Sequence, residues 1–184
     1  MKFFETKLKG SFIIEIEKLE DERGFFARSW DQKKFAEIGL NPNLVQCDIS
    51  FNKKKGTIRG LHFQRPPHKE AKLVRCTKGS IFDVIIDLRI NSSTYRKWIG
   101  TELSENNHKI IYVPESFAHG FQTLADNSEI FYQMSEYYNP ESSRGFRFDD
   151  PSIDISWPLK LTTISQKDEE LPFFDNIPFS DLQI

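Results

Sequence analysis

The most constraining feature of this chain is a succession of short alternating segments, each closed by turn residues. The clearest covers residues 80–89, where Phe82, Val84, Ile86 and Leu88 share one face of a strand. Asp83, Asp87 and Arg89 share the other. That period of two is the mark of a β-strand. Phe12, Ile14 and Ile16 repeat the parity near the start. Further strands are expected at 44–51, 57–64, 71–77, 96–103, 108–114, 120–125 and 129–137, with turn signals at Lys78-Gly79, Asn91-Ser92-Ser93, Glu105-Asn106-Asn107 and Asp126-Asn127. Strands recurring every 8–12 residues or so imply a sandwich, barrel or jelly roll. Two short helices interrupt the pattern. Ser29 and Gln32 have capping-box spacing ahead of a segment ending at Gly39, and Ser165 and Asp168 have it ahead of one that Pro172 ends. All-β architecture with small helices near 31–38 and 166–171 is the expectation, in one domain over residues 1–184.

Composition removes several classes of function. A net charge of −2 argues against a dedicated nucleic-acid binder, and Lys53-Lys54-Lys55 reads as a solvated turn. No apolar run approaches the roughly 18 residues of a membrane span, and the N-terminus has no signal-peptide pattern. Two cysteines without CxxC spacing suit a reduced, cytoplasmic protein. Seventeen phenylalanines suit a β core or an aromatic-lined pocket.

The segment Thr57-Ile58-Arg59-Gly60-Leu61-His62-Phe63-Gln64 places an imidazole and a guanidinium three residues apart on one strand. An imidazole exchanges protons near neutrality, and a guanidinium grips phosphate or carboxylate. On those residues alone, a hydrogen-bonded core histidine and a surface arginine is the simpler account. Regular strand parity also puts Arg59 and His62 on opposite faces, so both reach one pocket only if the strand bulges, and Gly60 is a suitable place. His119 lies among aromatic residues beside Gly120, whereas His68 and His108 fall in a loop and a polar turn. Lys72 stands between Ala71 and Leu73 in a strand, either outward or inward with a partner. Tyr132 shares parity with Ile130 and Met134, which buries its phenol. Asp168 is readily explained as a helix cap. No pair of histidines one residue apart with a nearby glutamate is present, so a metal site is not expected.

Several motifs in fixed order resemble the dTDP-4-dehydrorhamnose 3,5-epimerase family. They are Arg59-Gly60-Leu61-His62-Phe63-Gln64, Lys72-Leu73-Val74-Arg75-Cys76, Phe82-Asp83-Val84, Val113-Pro114-Glu115-Ser116-Phe117-Ala118-His119-Gly120-Phe121, and Asp149-Asp150-Pro151 through Trp157-Pro158. The resemblance runs from Asp21-Glu22-Arg23-Gly24-Phe25-Phe26 to Ser165-Gln166-Lys167-Asp168. It implies a cupin-type jelly-roll homodimer that needs no metal or cofactor. It implies epimerisation at C3 and C5 of a nucleoside-diphosphate-linked 4-keto-6-deoxy sugar, dTDP first among carriers, in deoxysugar biosynthesis for surface polysaccharide. By resemblance His62 is the base and Asp168 its partner, Lys72 stabilises the enolate oxygen, and Tyr132 is the acid. Arg23, Arg59 and His119 would hold diphosphate or sugar oxygens. Asp83 and Tyr138 would line or support the pocket, with Arg28, Gln46, Asp48 and Lys167 also on the substrate. The sequence departs from the family pattern at Arg28 and Ser143, each where a glutamate is usual, around Gln46-Cys47-Asp48-Ile49, and at Phe148. Those positions concern substrate reading rather than the base, acid or oxyanion residues. A C3-only epimerase, a 3,4-ketoisomerase or a non-catalytic sugar-binding cupin are the alternatives on the same fold.

Overall fold

The computed structural model describes residues 1–182, so the last two residues of the expected 1–184 domain lie outside it. Thirteen strands and two short helices follow one another in chain order: β1 (Lys2–Glu5), β2 (Phe12–Glu15), β3 (Leu19–Asp21), β4 (Gly24–Phe26), α1 (Gln32–Ile38), β5 (Gln46–Asn52), β6 (Ile58–Gln64), β7 (Lys72–Lys78), β8 (Ser80–Asp87), β9 (Trp98–Ser104), β10 (Ile110–Val113), β11 (Phe117–Thr123), β12 (Ser128–Met134), β13 (Ser143–Gly145) and α2 (Gln166–Glu169). They form a six-stranded sheet ordered β1-β2-β10-β7-β12-β5, a five-stranded sheet ordered β13-β6-β11-β8-β9, and the separate β3-β4 hairpin. The pairings within these sheets are antiparallel. The two large sheets remain separate rather than closing into one hydrogen-bonded cylinder. This is the jelly-roll form of the expected β fold.

Three apolar layers explain why the strands hold together. Between the sheets, Val74, Ile81, Ile85, Ile111, Phe117, Phe121 and Ile130 pack with Leu103. Outside the six-stranded sheet, α1 lays Phe35 against Leu73, Ile110 and Tyr112. Outside the five-stranded sheet, Leu61, Phe63, Val84, Ile86 and Leu88 are covered by Phe146, Ile153, Phe174 and Ile177 from the C-terminal segment. Strand β8 is therefore buried on both faces. Its polar parity, Asp83 and Asp87, is as buried as its apolar one, because Ile81 and Ile85 interleave with the carboxylates. Alternation located this strand, but it did not show which face is wet.

Helix α1 differs in one detail from its sequence signature. Asp31, not Ser29, is the N-cap, and its side chain accepts the Lys34 N–H. Aspartate and serine cap about equally well, and the carboxylate adds a favourable charge at the N-terminal end of the helix dipole. Gly39 closes the helix at φ 81°, as expected. At α2 the signature holds, with the Ser165 side chain accepting the Asp168 N–H. The short strands β1, β3, β4 and β13 carry too few alternations to be seen in the sequence.

Candidate active site

The bulge expected at Gly60 is present. His119 pairs with His62, but Phe121 pairs with Arg59, so β6 holds one residue more than β11 between the two pairs. The extra residue resets the parity, and both Arg59 and His62 line the inter-sheet cavity. Gly60 takes φ +105°, and a Cβ there would lie 2.8 Å from Gly120 Cα and from the His119 carbonyl oxygen. Only glycine permits the two strands to approach so closely.

The cavity has a volume of about 440 Å³. Strand β6 and β11 of the five-stranded sheet contribute Arg59, His62 and His119, and β5, β7 and β12 of the six-stranded sheet contribute Gln46, Asp48, Ser50, Lys72 and Tyr132. The α2 region adds Lys167 and Asp168, and Tyr138 stands on the loop after β12. An imidazole and a phenol therefore enter one space from facing sheets.

His62 Nε2 lies 2.7 Å from Asp168 Oδ1. Because a carboxylate only accepts, Nε2 carries the hydrogen and Nδ1 keeps its lone pair. Asp168 Oδ2 accepts the Gly60 N–H at 3.2 Å, which ties the dyad to the bulge. Burial alone would raise the Asp168 pKa, but His62, the Gly60 N–H and the Ser165 hydroxyl together leave it below the ordinary 3.8. Capping falls to Ser165, so the carboxylate is free to face the histidine.

A second, deeper pair joins His119 Nε2 to Asp83 Oδ2 at 2.7 Å. Both are buried, and Asp83 Oδ1 has no hydrogen-bond partner. Burial raises the Asp83 pKa, partly countered by His119 and Lys72. The His119 and Tyr132 rings meet edge to face at 5.9 Å between centroids. Burial, and then the Asp83 carboxylate, push the Tyr132 phenol well above its ordinary value of 10.0. The phenol consequently holds its proton throughout the neutral range. Arg59 Nε donates to Asn52 Oδ1 at 2.7 Å. Lys72 Nζ forms an ion pair with Glu70 Oε1 at 2.9 Å.

Of the thirteen residues singled out in the sequence, His62, Lys72, Tyr132, Asp168, Gln46, Asp48, Arg59, His119, Tyr138 and Lys167 line the cavity. Asp83 sits behind it on His119. Arg23 and Arg28 do not reach the cavity of their own chain. Arg23 lies on the β3-β4 turn and is tied to Asp21, and Arg28 is paired with Asp31 ahead of α1. The hairpin that carries Arg23 forms its own two-stranded sheet, and Arg28 is held by the N-cap of α1. Four polar lining or supporting residues escaped the sequence reading: Glu70, Gln64, Ser50 and Asn52. An acid and a base at i and i+2, as in Glu70 and Lys72, was the available signal for one of them.

Fold and cavity together place the chain in the cupin-type jelly-roll class, with imidazoles, a phenol and cations around one pocket. Residues 5–176 match the family model described as dTDP-4-dehydrorhamnose 3,5-epimerase. The chain belongs to that family. It is 45% identical over 170 residues to the dTDP-4-dehydrorhamnose 3,5-epimerase of Methanothermobacter thermautotrophicus, covering 91% of each chain. Against the Escherichia coli enzyme of the same name, it is 41% identical over 179 residues, covering 96% of each. The crystal structure of the Elizabethkingia anophelis dTDP-4-dehydrorhamnose 3,5-epimerase superimposes with a TM-score of 0.92 at 42% identity, over 96% of this chain and 97% of that one. A Legionella pneumophila dTDP-6-deoxy-D-glucose-3,5-epimerase, solved in complex with dTDP-4-keto-L-rhamnose, gives a TM-score of 0.92 at 35% identity, over 98% and 96% of the chains.

Proposed function

We propose that this protein inverts C3 and C5 of a dTDP-linked 4-keto-6-deoxy sugar through an enolate. The observation that carries the proposal is the placement of His62 and Tyr132 on facing sheets of one cavity, with Lys72 on β7 beside the Tyr132 strand. A C–H next to a ketone is acidic because its anion is an enolate. His62 Nδ1 takes that proton, with Asp168 holding the ring and stabilising the imidazolium. Negative charge then develops on the C4 oxygen, where the Lys72 ammonium meets it. Such a donor contributes on the order of a few kcal/mol in a site that excludes water. The Tyr132 phenol gives its proton to the opposite face of the same carbon, and solvent restores both groups. Arg59, fixed by Asn52, holds the diphosphate with Lys167, and Gln46, Asp48, His119 and Tyr138 contact sugar or base.

A homodimer is part of the same proposal. Leu19 and Phe26 of the hairpin are 70% and 72% exposed, and Ile49 on the edge strand β5 is 65% exposed. A second copy is a fitting cover for such apolar surface. Among the described residues no helix is long and apolar enough to cross a membrane.

Proton NMR of dTDP-4-keto-6-deoxyglucose in deuterated water tests the reaction. Deuterium entering C3 and C5 with the ketone in place is the expected result. Exchange at C3 alone would mark a monoepimerase, movement of the ketone a ketoisomerase, and binding without exchange a non-catalytic module. In His62→Ala the exchange should disappear while the fold persists.

A further inference from the structure

Lys72 is not alone in the cavity wall, and its neighbour has no part in the reaction described so far. Glu70 lies in the loop entering β7, and its side chain is only 11% exposed. Its Oε1 sits 2.9 Å from Lys72 Nζ, which is itself 14% exposed. Its Oε2 accepts from Gln64 Nε2 at 3.3 Å. Gln64 Nε2 has two hydrogens for three acceptors, Glu70 Oε2 and the carbonyls of His68 and Tyr137, so it shares one between two of them, and Oε1 accepts the Asn139 N–H. The two sides of this amide therefore fix the loop before β7 and the loop after β12, the latter carrying Tyr138 at the cavity. A buried carboxylate persists only where it is paired and hydrogen-bonded. Here both of its oxygens are engaged, one by a framework residue and one by the ammonium.

We infer that Glu70 is a positioning residue for Lys72. It aims a side chain with four rotatable carbons at the place where the substrate's ketone oxygen would lie, and Gln64 anchors the aim to two loops. This rests on the epimerase reading of Lys72. Without Glu70 the ammonium would sample several rotamers, and enolate stabilisation depends steeply on placement. The transition state would suffer more than the ground state, because charge on the ketone oxygen develops only during proton removal.

Reach and charge can be separated with two substitutions that keep a polar group in place. Glu70→Gln keeps the length and an oxygen that accepts from Lys72 but removes the charge; its NH2 then takes the place of Oε2, and Gln64 Nε2 keeps the His68 and Tyr137 carbonyls as acceptors. Glu70→Asp keeps the charge but shortens the reach by one carbon. In the deuterium-exchange assay Glu70→Gln should retain kcat within about threefold, whereas Glu70→Asp should lose roughly tenfold or more in kcat with KM nearly unchanged. In a Lys72→Met background, Glu70→Asp should cost nothing further, since there is no ammonium to aim. The inference is overturned if Glu70→Asp is as active as Glu70→Gln, if its loss lies in KM alone, or if the loss persists in the Lys72→Met background. Absence of exchange in the unaltered protein would instead refute the epimerase reading itself, so the two failures are distinguishable.

Discussion

Replacing Asp168 with asparagine separates its two possible duties, because the structure assigns different atoms to each. Helix α2 is capped by the Ser165 side chain, so its N-terminus does not need the Asp168 carboxylate. The Gly60 N–H needs an acceptor, which an asparagine oxygen still supplies. His62 is the group that suffers. At 2.7 Å from Nε2, an amide NH2 in place of Oδ1 would turn the acceptor into a donor. The ring would then present its lone pair to the amide and its hydrogen to the substrate, the wrong tautomer for a base. If the amide flipped to keep the His62 bond, the Gly60 N–H would face a donor instead. Loss of a charge-assisted hydrogen bond is worth about 1.5–3 kcal/mol, which corresponds to roughly 10- to 150-fold in rate. The stability cost should stay within about 1–3 kcal/mol, that of one buried hydrogen bond left imperfect. The assay is solvent deuterium uptake at C3 and C5 by NMR, beside urea unfolding of the same preparation. A variant that exchanges within about threefold of the parent while losing stability would show Asp168 to be structural, and the dyad would have to be abandoned.

Other outcomes follow from single features of the site. In Tyr132→Phe the first proton is still removed, so exchange at the carbon survives better than net inversion; equal loss of both would deny the phenol its role as acid. Gly60→Ala should destabilise by about 2–5 kcal/mol in urea unfolding, because its Cβ would stand 2.8 Å from Gly120 Cα and the His119 carbonyl oxygen at φ +105°. A neutral effect on stability would mean that β6 does not bulge as described. The Asp168 carboxyl is held below its ordinary 3.8, so the stability it contributes is present in full above that value and is lost as pH falls through the lower folded one. Acid unfolding of Asp168→Asn should accordingly be less steep below about pH 4 than that of the parent.

The sequence alone was enough for the kind of fold, the family and most of the residues that line the cavity. Strand periodicity and turn spacing follow from backbone geometry, which each stretch carries locally, and nine strands and both helices were readable for that reason. The parity of Tyr132 with Ile130 and Met134 placed its phenol inside, as found. The ordered motifs around His62, Lys72 and His119 identified the family. Tertiary structure decided the rest, because every remaining question concerned partners distant in the chain. Asp168 and His62 are 106 positions apart, and only packing of α2 against β6 turns a helix-capping pattern into a base-orienting carboxylate. Alternation put Asp83 and Asp87 on one face of β8, but that this face is buried was decided by a second sheet and the C-terminal segment, which enclose β8 on both sides. Glu70 meets Lys72 only through the fold of the loop before β7, and Arg23, on a hairpin with a sheet of its own, and Arg28, ahead of α1, do not reach this chain's cavity.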